Sequence, residues 1–255
     1  MNAMVDAVIQ VDNVSKHYQS RNSTVEAIDQ VSFDVKREEF FTIIGPSGCG
    51  KSTLLAMMAG LASPSSGTIK VEGKEVKGPM PENIAVAFQE PGLLPWRSVQ
   101  KNVELGLEAR KLPKDRRSEI SKKYIELVGL LGFQDSYPHQ LSGGMKQRAA
   151  IARCLSMDTP ILLLDEPFGA LDEQTRLLMG EELIKIFELT SKTVVLVTHS
   201  LQEAANLSDR VVVMSKRPGK IKAEIKIDLP RPRKPIETVE YVNQLWDLIR
   251  EQPTK

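Results

Sequence analysis

The stretch GPSGCGKST, residues 45–53, has the residue types and spacing to hold a phosphate chain. Gly45, Gly50, Lys51 and Ser52 fit G-x-x-x-x-G-K-[ST], directly after the apolar run FFTIIG and before the helix-like KSTLLAMMAGL. Glycines in such a loop let backbone N–H groups close around a β-phosphate, and the helix that follows turns its positive end to the same charge. Lys51 is placed to reach the β- and γ-phosphates, and Ser52 to ligate Mg²⁺. A plain glycine turn is the competing reading, and the strand–loop–helix context argues against it. Downstream, ILLLDE at residues 161–166 ends a second buried-type strand in two carboxylates. Asp165 is placed to hold Mg²⁺, directly or through water, and Glu166 to act as general base for an attacking water. Acidic pairs are common at strand ends; the glycine loop is what gives this one weight. A further stretch, LSGGMKQRAAIARCL at residues 141–155, opens another helix-like segment with a serine and two glycines. Ser142 and the N–H groups of Gly143 and Gly144 would add donors to a phosphate. One chain therefore carries two phosphate sites far apart in sequence.

The elements that must position these residues alternate between strand and helix. VIQVDNV and IDQVSFDV alternate apolar and polar side chains, as half-exposed strands do, whereas FFTIIG suits a strand buried on both faces. SGTIKVEG and NIAVAFQ read as two more strands. From about Glu90 to Met157 the pattern turns helical, with charged stretches such as KLPKDRRSEISKKYIELVGLL. Alternation resumes with PILLLD, LLMGEELIKIFELT, TVVLVTH, LQEAANLSD and RVVVMS. The pattern predicts an α/β domain with a largely parallel core sheet, interrupted by a mostly helical insert. Parallel order would put the strand ends at the glycine loop and at Asp165 on one edge of the sheet, where ligands bind. LPRPRKP at 229–235 reads as a proline-rich, basic hinge, and beyond it Val242, Leu245, Trp246 and Ile249 fall on one helical face. No internal repeat and no long heptad run is present.

Composition narrows the function classes. Hydrophobic residues make up 41%, enough for a sizeable core. Lys+Arg 34 against Asp+Glu 33 leaves no global field to recruit nucleic acid or an acidic membrane. Cys49 and Cys154 are too few for a disulfide framework and point to a reducing compartment. MNAMVDAVIQVD lacks a basic region followed by an apolar core, so no signal peptide is expected. No run of eighteen apolar residues exists, so no membrane span is expected. A role at a membrane would have to come through binding something there.

With these stretches in order, the sequence resembles the ATP-binding cassette (ABC) subunits of membrane transporters over roughly residues 8–228. The glycine loop alone would indicate only a P-loop NTPase; LSGGMKQR, just upstream of the acidic strand, resembles the cassette signature. Gln89 in AFQEPGLLPW, GALD at 169–172 and His199 in VTHS complete the ordered set. The resemblance implies a P-loop NTPase (RecA-like) α/β core with a mostly parallel sheet. It also implies an antiparallel β subdomain and a helical subdomain at about 90–157, with 229–255 as a separate C-terminal segment. It further implies that two copies pack head to tail, each ATP being held by the P-loop of one subunit and the signature of the other. The second phosphate site then serves the neighbour's nucleotide, and hydrolysis removes a contact that held the two subunits together.

The remaining roles follow from the same resemblance. Pro46, Ser47, Gly48, Cys49 and Thr53 complete the ATP-binding loop, with Cys49 placed where the phosphates should pass or serving simply as a small loop residue, and Tyr18 in KHYQS matches the aromatic that stacks on adenine. Gln89 would sense Mg²⁺ and the attacking water and link the subdomains, Asp172 would cross the dimer interface, and His199 would contact the γ-phosphate and orient water and Glu166. His17 and His139 are left as surface residues. The fifth signature residue, usually glutamine, is Met145, which hydrogen-bonds a ribose poorly; little loss is expected because Ser142 and the glycines carry the phosphate contact. Met145 together with DEPFGALDEQTR looks like the importers of nitrate, aliphatic sulfonates, taurine and related small compounds. Permease subunits, a solute-binding protein and a peripheral position on the cytoplasmic side of the inner membrane are implied. Leu93, Leu94 and Trp96, set among Pro91, Gly92 and Pro95, would line the groove for a permease helix; the competing reading is that Trp96 simply anchors the insert to the core. The C-terminal segment is expected to pack on the cassette or lengthen the dimer contact. Other P-loop classes fit less well. A DNA-repair or chromosome cassette would insert a long coiled coil between Lys51 and Ser142. A translation-type factor would carry each motif twice, and a small-molecule kinase has no need of LSGGM.

Overall fold

The computed structural model describes residues 7–20 and 23–250. Residues 1–6, on which part of the signal-peptide reading rests, lie outside the described residues. The chain begins with β1 (Ala7–Ser20), β2 (Ser23–Lys36), β3 (Phe40–Ile44), α1 (Lys51–Met58), β4 (Ser66–Val71), β5 (Lys74–Glu75) and β6 (Ile84–Ala87). Then come α2 (Val99–Val103), α3 (Leu105–Ala109), α4 (Lys114–Leu127), α5 (Gly143–Ser156), β7 (Ile161–Asp165) and α6 (Glu173–Thr190). It ends with β8 (Thr193–Thr198), α7 (Leu201–Leu207), β9 (Arg210–Met214), β10 (Ile221–Lys226) and α8 (Val239–Ile249). Two compact units result, one from Met1–Met80 with Ser191–Lys255 and one from Pro81–Thr190.

In the first unit an antiparallel sheet runs β2-β1-β4-β5. Its alternating side chains bury Ile9, Val11, Val14, Val31 and Phe33 on one side, as the sequence pattern predicts. A second set of strands runs β10-β9-β3-β8. There β3 is parallel to both β8 and β9, and every residue of β3, β8 and β9 is buried. Continuous apolar runs are what strands covered on both faces require. The strand β10 is antiparallel to β9 and was not evident in the sequence, because the polar half of IKAEIK faces solvent at an edge. Arg210 fastens this edge: its guanidinium bonds Glu39 at 2.8 Å and Glu224 at 3.0 Å and lies 5.0 Å from the Phe41 ring.

LPRPRKP is not a free hinge. Arg231 donates to Leu207 O, and Arg233 donates to Ala205 O and Ser208 O, so both guanidinium groups cap the carbonyl end of α7. Cations suit that end of a helix, where carbonyls lack partners. Burial, with the nearby Arg231 charge, pulls Arg233 down to about 10, still protonated at neutral pH. Leu245 of α8 is fully buried with Ala204, Ala205, Val211 and Val213, and Val242 and Ile249 pack against the same cluster. Trp246 does not join them and remains exposed. At about 100° per residue it lies beyond the edge of a stripe centred on Leu245.

The second unit pairs β6 with β7 in parallel, Ile84 opposite Ile161 through Ala87 opposite Leu164. Its helices α2 and α4 pack on α5, whose Ala149, Ala150, Ile151, Ala152 and Leu155 are buried. Small residues on α5 let its neighbours approach closely. Among the described residues no helix is long and apolar enough to cross a membrane. An α/β core, an antiparallel sheet and a helical stretch are thus all present, as expected from the sequence.

Candidate functional site

The candidate residues divide between the two units, and each set is described within its own. In the first unit β3 ends at Ile44 and the chain turns at Gly45 into the loop that starts α1. Gly50 caps α1 with φ +103, and a Cβ there would meet Ile28 Cγ1 at 2.8 Å and Ala27 O at 2.9 Å. Both the left-handed backbone and the close approach require glycine. The Cys49 N–H closes a turn on Pro46 O at 3.3 Å, whereas the amides of Gly48 and Gly50 have no backbone acceptor among the described residues. Lys51 is only 5% exposed, and its ammonium donates to Gly45 O at 2.8 Å and Pro46 O at 3.1 Å. No carboxylate pairs with it among the described residues. A buried cation held by carbonyls, beside open backbone donors at a helix start, is a donor set that fits polyphosphate. Ser52 is exposed on the first turn of α1 and Thr53 half-buried.

The loop has a backing that the sequence did not reveal. Gly219 donates to Ala27 O and accepts from Asp29 N, both at 3.0 Å. A Cβ on Gly219 would lie 2.1 Å from Cys49 O and 2.7 Å from Met214 Cε. Gly219 therefore supports the loop from far along the chain, where no local signal could mark it. Gly219→Ala is expected to weaken nucleotide binding about tenfold or more, since overpacking of this kind costs ~1–3 kcal/mol and must be absorbed by the loop backbone. Equilibrium titration with a fluorescent nucleotide checks this; parental affinity would show that the contact does not set the loop.

Cys49 differs from expectation. The sequence suggests a thiol lining the phosphate path, but the side chain is 1% exposed, with Sγ on the Gly45 side of the loop. Burial pushes its pKa up, outweighing the nearby Lys51 charge. The thiol is therefore kept protonated, and only the thiolate is reactive. Alkylation by N-ethylmaleimide at neutral pH is expected to be at least ~10-fold slower in the folded protein than in urea. Rapid labelling without denaturant, read by mass spectrometry, would contradict the buried placement.

Tyr18 and His199 also belong to this unit. Tyr18 is 47% exposed on β1 with Lys16 Nζ 5.1 Å from its ring centre, so it is not a core tyrosine and offers a ring surface to a base. His199 is exposed just beyond β8. Its turn is set by Thr198, which accepts from Ser200 N at 3.0 Å, and by Ser200, which caps α7.

In the second unit β7 delivers Asp165, buried, and then Glu166, whose backbone is left-handed at φ +45. Gln89 donates through Nε2 to Glu166 Oε2 at 3.2 Å, so the loop after β6 touches the proposed base directly. Ser142 caps α5 by accepting from Met145 N at 3.3 Å, which leaves its hydroxyl hydrogen to donate elsewhere. A Cβ on Gly144 would meet Leu171 Cδ2 at 3.1 Å, whereas one on Gly143 would meet nothing within 4 Å. Neither space nor backbone within this chain demands glycine at Gly143. Asp172 is the N-cap of α6: its carboxylate accepts from Thr175 N at 2.9 Å and Thr175 Oγ1 at 2.7 Å. Those hydrogen bonds hold its pKa below the usual carboxylate range. This capping role was missed, although an aspartate just ahead of a helical stretch is a preferred N-cap. Among the described residues no cluster of three or more His, Cys, Asp or Glu could hold a metal alone. Mg²⁺ takes one or two protein oxygens and completes its shell with phosphate oxygens and water, and the Ser52 hydroxyl and the Asp165 carboxylate are donors of that kind.

Comparison with known proteins agrees with these features. The ABC transporter family model matches residues 28–169. An ABC transporter ATP-binding protein of Methanocaldococcus jannaschii is 50% identical over 249 residues, 97% of this chain and 93% of that protein. An aliphatic sulfonates import ATP-binding protein of Bacillus cereus is 44% identical over 226 residues, covering 88% of each. A bicarbonate transport ATP-binding protein of Synechococcus elongatus is also 44% identical, over 91% of this chain and 36% of its own length. Among solved structures, a dimeric bacterial ABC transporter cassette superposes with a TM-score of 0.82 at 32% identity, covering 87% of this chain and all of that one. A post-hydrolysis dimer bound to ADP and Pi gives 0.81 at 31% identity. With the phosphate loop, the acidic strand end and the signature helix all in place, this chain belongs to the ABC transporter family and is an ATP-hydrolysing cassette.

Proposed function

We propose that this ATPase drives uptake of a small solute, of the sulfonate, nitrate, taurine or bicarbonate kind, through a separate permease. Residues 8–228 form its nucleotide-binding domain, with the helical subdomain at about 90–157. The loop from Gly45 to Thr53 binds the triphosphate of ATP, Lys51 neutralises the β- and γ-phosphates, and Tyr18 stacks on the base. Ser52, Gln89 and Asp165 would hold Mg²⁺, Asp165 directly or through water, and the metal would supply charge neutralisation of the phosphates. Glu166 takes the proton of the attacking water while Gln89 and His199 orient it. Ser142, Gly143 and Gly144 bind the γ-phosphate held by a second copy packed head to tail, with Asp172 at that interface. The open space over Gly143, where a Cβ would meet nothing within 4 Å, supports this reading, because it leaves room for a phosphate to approach the backbone N–H.

The permease assignment is carried by one observation: Trp96 is 71% exposed on a loop whose backbone is hydrogen-bonded on both sides of it. Asn102, fully buried, accepts from Leu94 N at 2.7 Å and donates to Leu94 O, Arg97 O and Ser98 O. Fixing a large apolar ring in water is the usual mark of a partner surface. A chain that binds a permease in this way sits peripherally on the cytoplasmic face of the membrane, and a solute-binding protein contacts only the permease. Leu93→Ser with Trp96→Ala is expected to leave ATP hydrolysis by the free subunit within about twofold, since Trp96 is exposed and Leu93 only half-buried, outside the core. Assembly with the permease should fall at least ~10-fold, one hot-spot residue's worth. Co-purification with its permease, plus uptake of labelled sulfonate, nitrate and bicarbonate, tests the reading. Unimpaired transport by the folded variant would overturn the coupling role of this loop.

A further inference from the structure

We propose that Arg153 is a positioning residue that carries displacements of the signature helix α5 to the Leu93–Trp96 loop. Its guanidinium donates to two consecutive carbonyls, from Nη1 to Gly92 O at 2.8 Å and from Nη2 to Pro91 O at 2.7 Å. Earlier on the same helix Gln147 Nε2 donates to Phe88 O at 3.3 Å. The helix that begins at Ser142 therefore holds segment 88–92 at both ends, and Gln89, between them, bonds Glu166. The Phe88 attachment is the weaker one. Gln147 is buried, and its Oε1 has no partner among the described residues. The Arg153 attachment is a planar fork that fixes direction as well as distance, which a point charge such as lysine cannot do. Past Gly92, Asn102 makes the backbone from Leu94 to Ser98 move as one piece. Arg153 is half-buried, and burial pulls its pKa down.

This inference rests on the proposed roles of Ser142 at a neighbour's nucleotide and of Trp96 at the permease. Its test separates it from both. The chain has 2 tryptophans, Trp96 and Trp246, so Trp246→Phe leaves Trp96 as the only indole. In that background, with Glu166→Gln to retain ATP, light scattering reads dimerisation and Trp96 emission reads the loop. MgATP is expected to produce a dimer and to shift Trp96 emission. Arg153→Met, which keeps the aliphatic stem and removes the fork, should dimerise at an MgATP concentration within about twofold of the parent while losing at least half of the shift. Arg153→Lys should recover part of it. A full parental shift in Arg153→Met overturns the proposal. So does a parent that dimerises without any Trp96 response, and that result leaves the proposed function standing. A parent that binds MgATP and stays monomeric overturns the shared-site reading and this inference together. Should Arg153→Met fail to fold, Arg153→Lys decides, since it keeps the charge but not the fork, and an undiminished shift there is fatal to the idea.

Discussion

Replacing Glu166 by glutamine is expected to lower ATP turnover by ~10²–10⁴-fold, the range a positioned general base typically supplies. Nucleotide binding should survive, because the substitution leaves the loop around Lys51 untouched. The exchange is also conservative where it matters structurally. Glutamine keeps an acceptor for Gln89 Nε2, which reaches Glu166 Oε2 at 3.2 Å. The backbone at Glu166 is left-handed, φ +45, and its carbonyl accepts from Gly169 N at 3.1 Å. Holding a side-chain-bearing residue in that region costs on the order of 1–3 kcal/mol, a cost that glycine would relieve and glutamine would not. Glu166→Gln therefore removes the base alone, whereas Glu166→Gly would also release the backbone. Phosphate release under saturating MgATP gives the rate, and light scattering should show an ATP-bound dimer accumulating. Turnover near the parental rate would remove Glu166 from the mechanism.

How much of this was legible in the sequence depends on how local each determinant is. G-x-x-x-x-G-K-S encodes its own turn, helix start and charge within eight residues, so the loop and α1 could be read directly. The buried strands β3, β7, β8 and β9 announced themselves as apolar runs for the same reason. Gly219 could not be read, because its requirement for glycine comes from Cys49 O, 170 positions away. LPRPRKP misled because basic residues among prolines suggest exposure, whereas Arg231 and Arg233 fold back onto the carbonyl end of α7. Cys49 misled in the same way: membership of a ligand-binding loop says nothing about which side of the loop a side chain occupies. Asp172 and Ser142 show the converse. Each has a local capping role in this chain beside the role proposed for it, and for Ser142 the two are compatible because the cap uses only the acceptor oxygen and leaves the hydroxyl hydrogen.

That dual use of Ser142 permits a sharp test of the shared site. Ser142→Asp keeps the cap, since aspartate accepts from the Met145 N–H as well as serine does. It places a negative charge at the start of α5, where the neighbour's γ-phosphate would bind. The monomer's melting temperature should stay close to the parent's, and MgATP affinity at the Lys51 loop should not change. ATP-driven dimerisation in the Glu166→Gln background should weaken by at least ~100-fold, because like charges brought together at an interface cost several kcal/mol. Ser142→Ala gives the contrasting control: it loses the cap, about 1 kcal/mol of stability, but introduces no repulsion, and so should dimerise better than Ser142→Asp despite being less stable. Geometry adds a second reading. In a head-to-tail pair, Lys51→Ala damages one half of each composite site and Ser142→Asp the other. Each variant alone has both sites damaged. A mixed dimer has both lesions in one site and the second site intact, so mixing the two inactive proteins should restore ATP-dependent association and part of the hydrolysis. If Ser142→Asp dimerises with ATP as readily as its parent, the start of α5 is not a phosphate contact across an interface, and the head-to-tail arrangement falls with it.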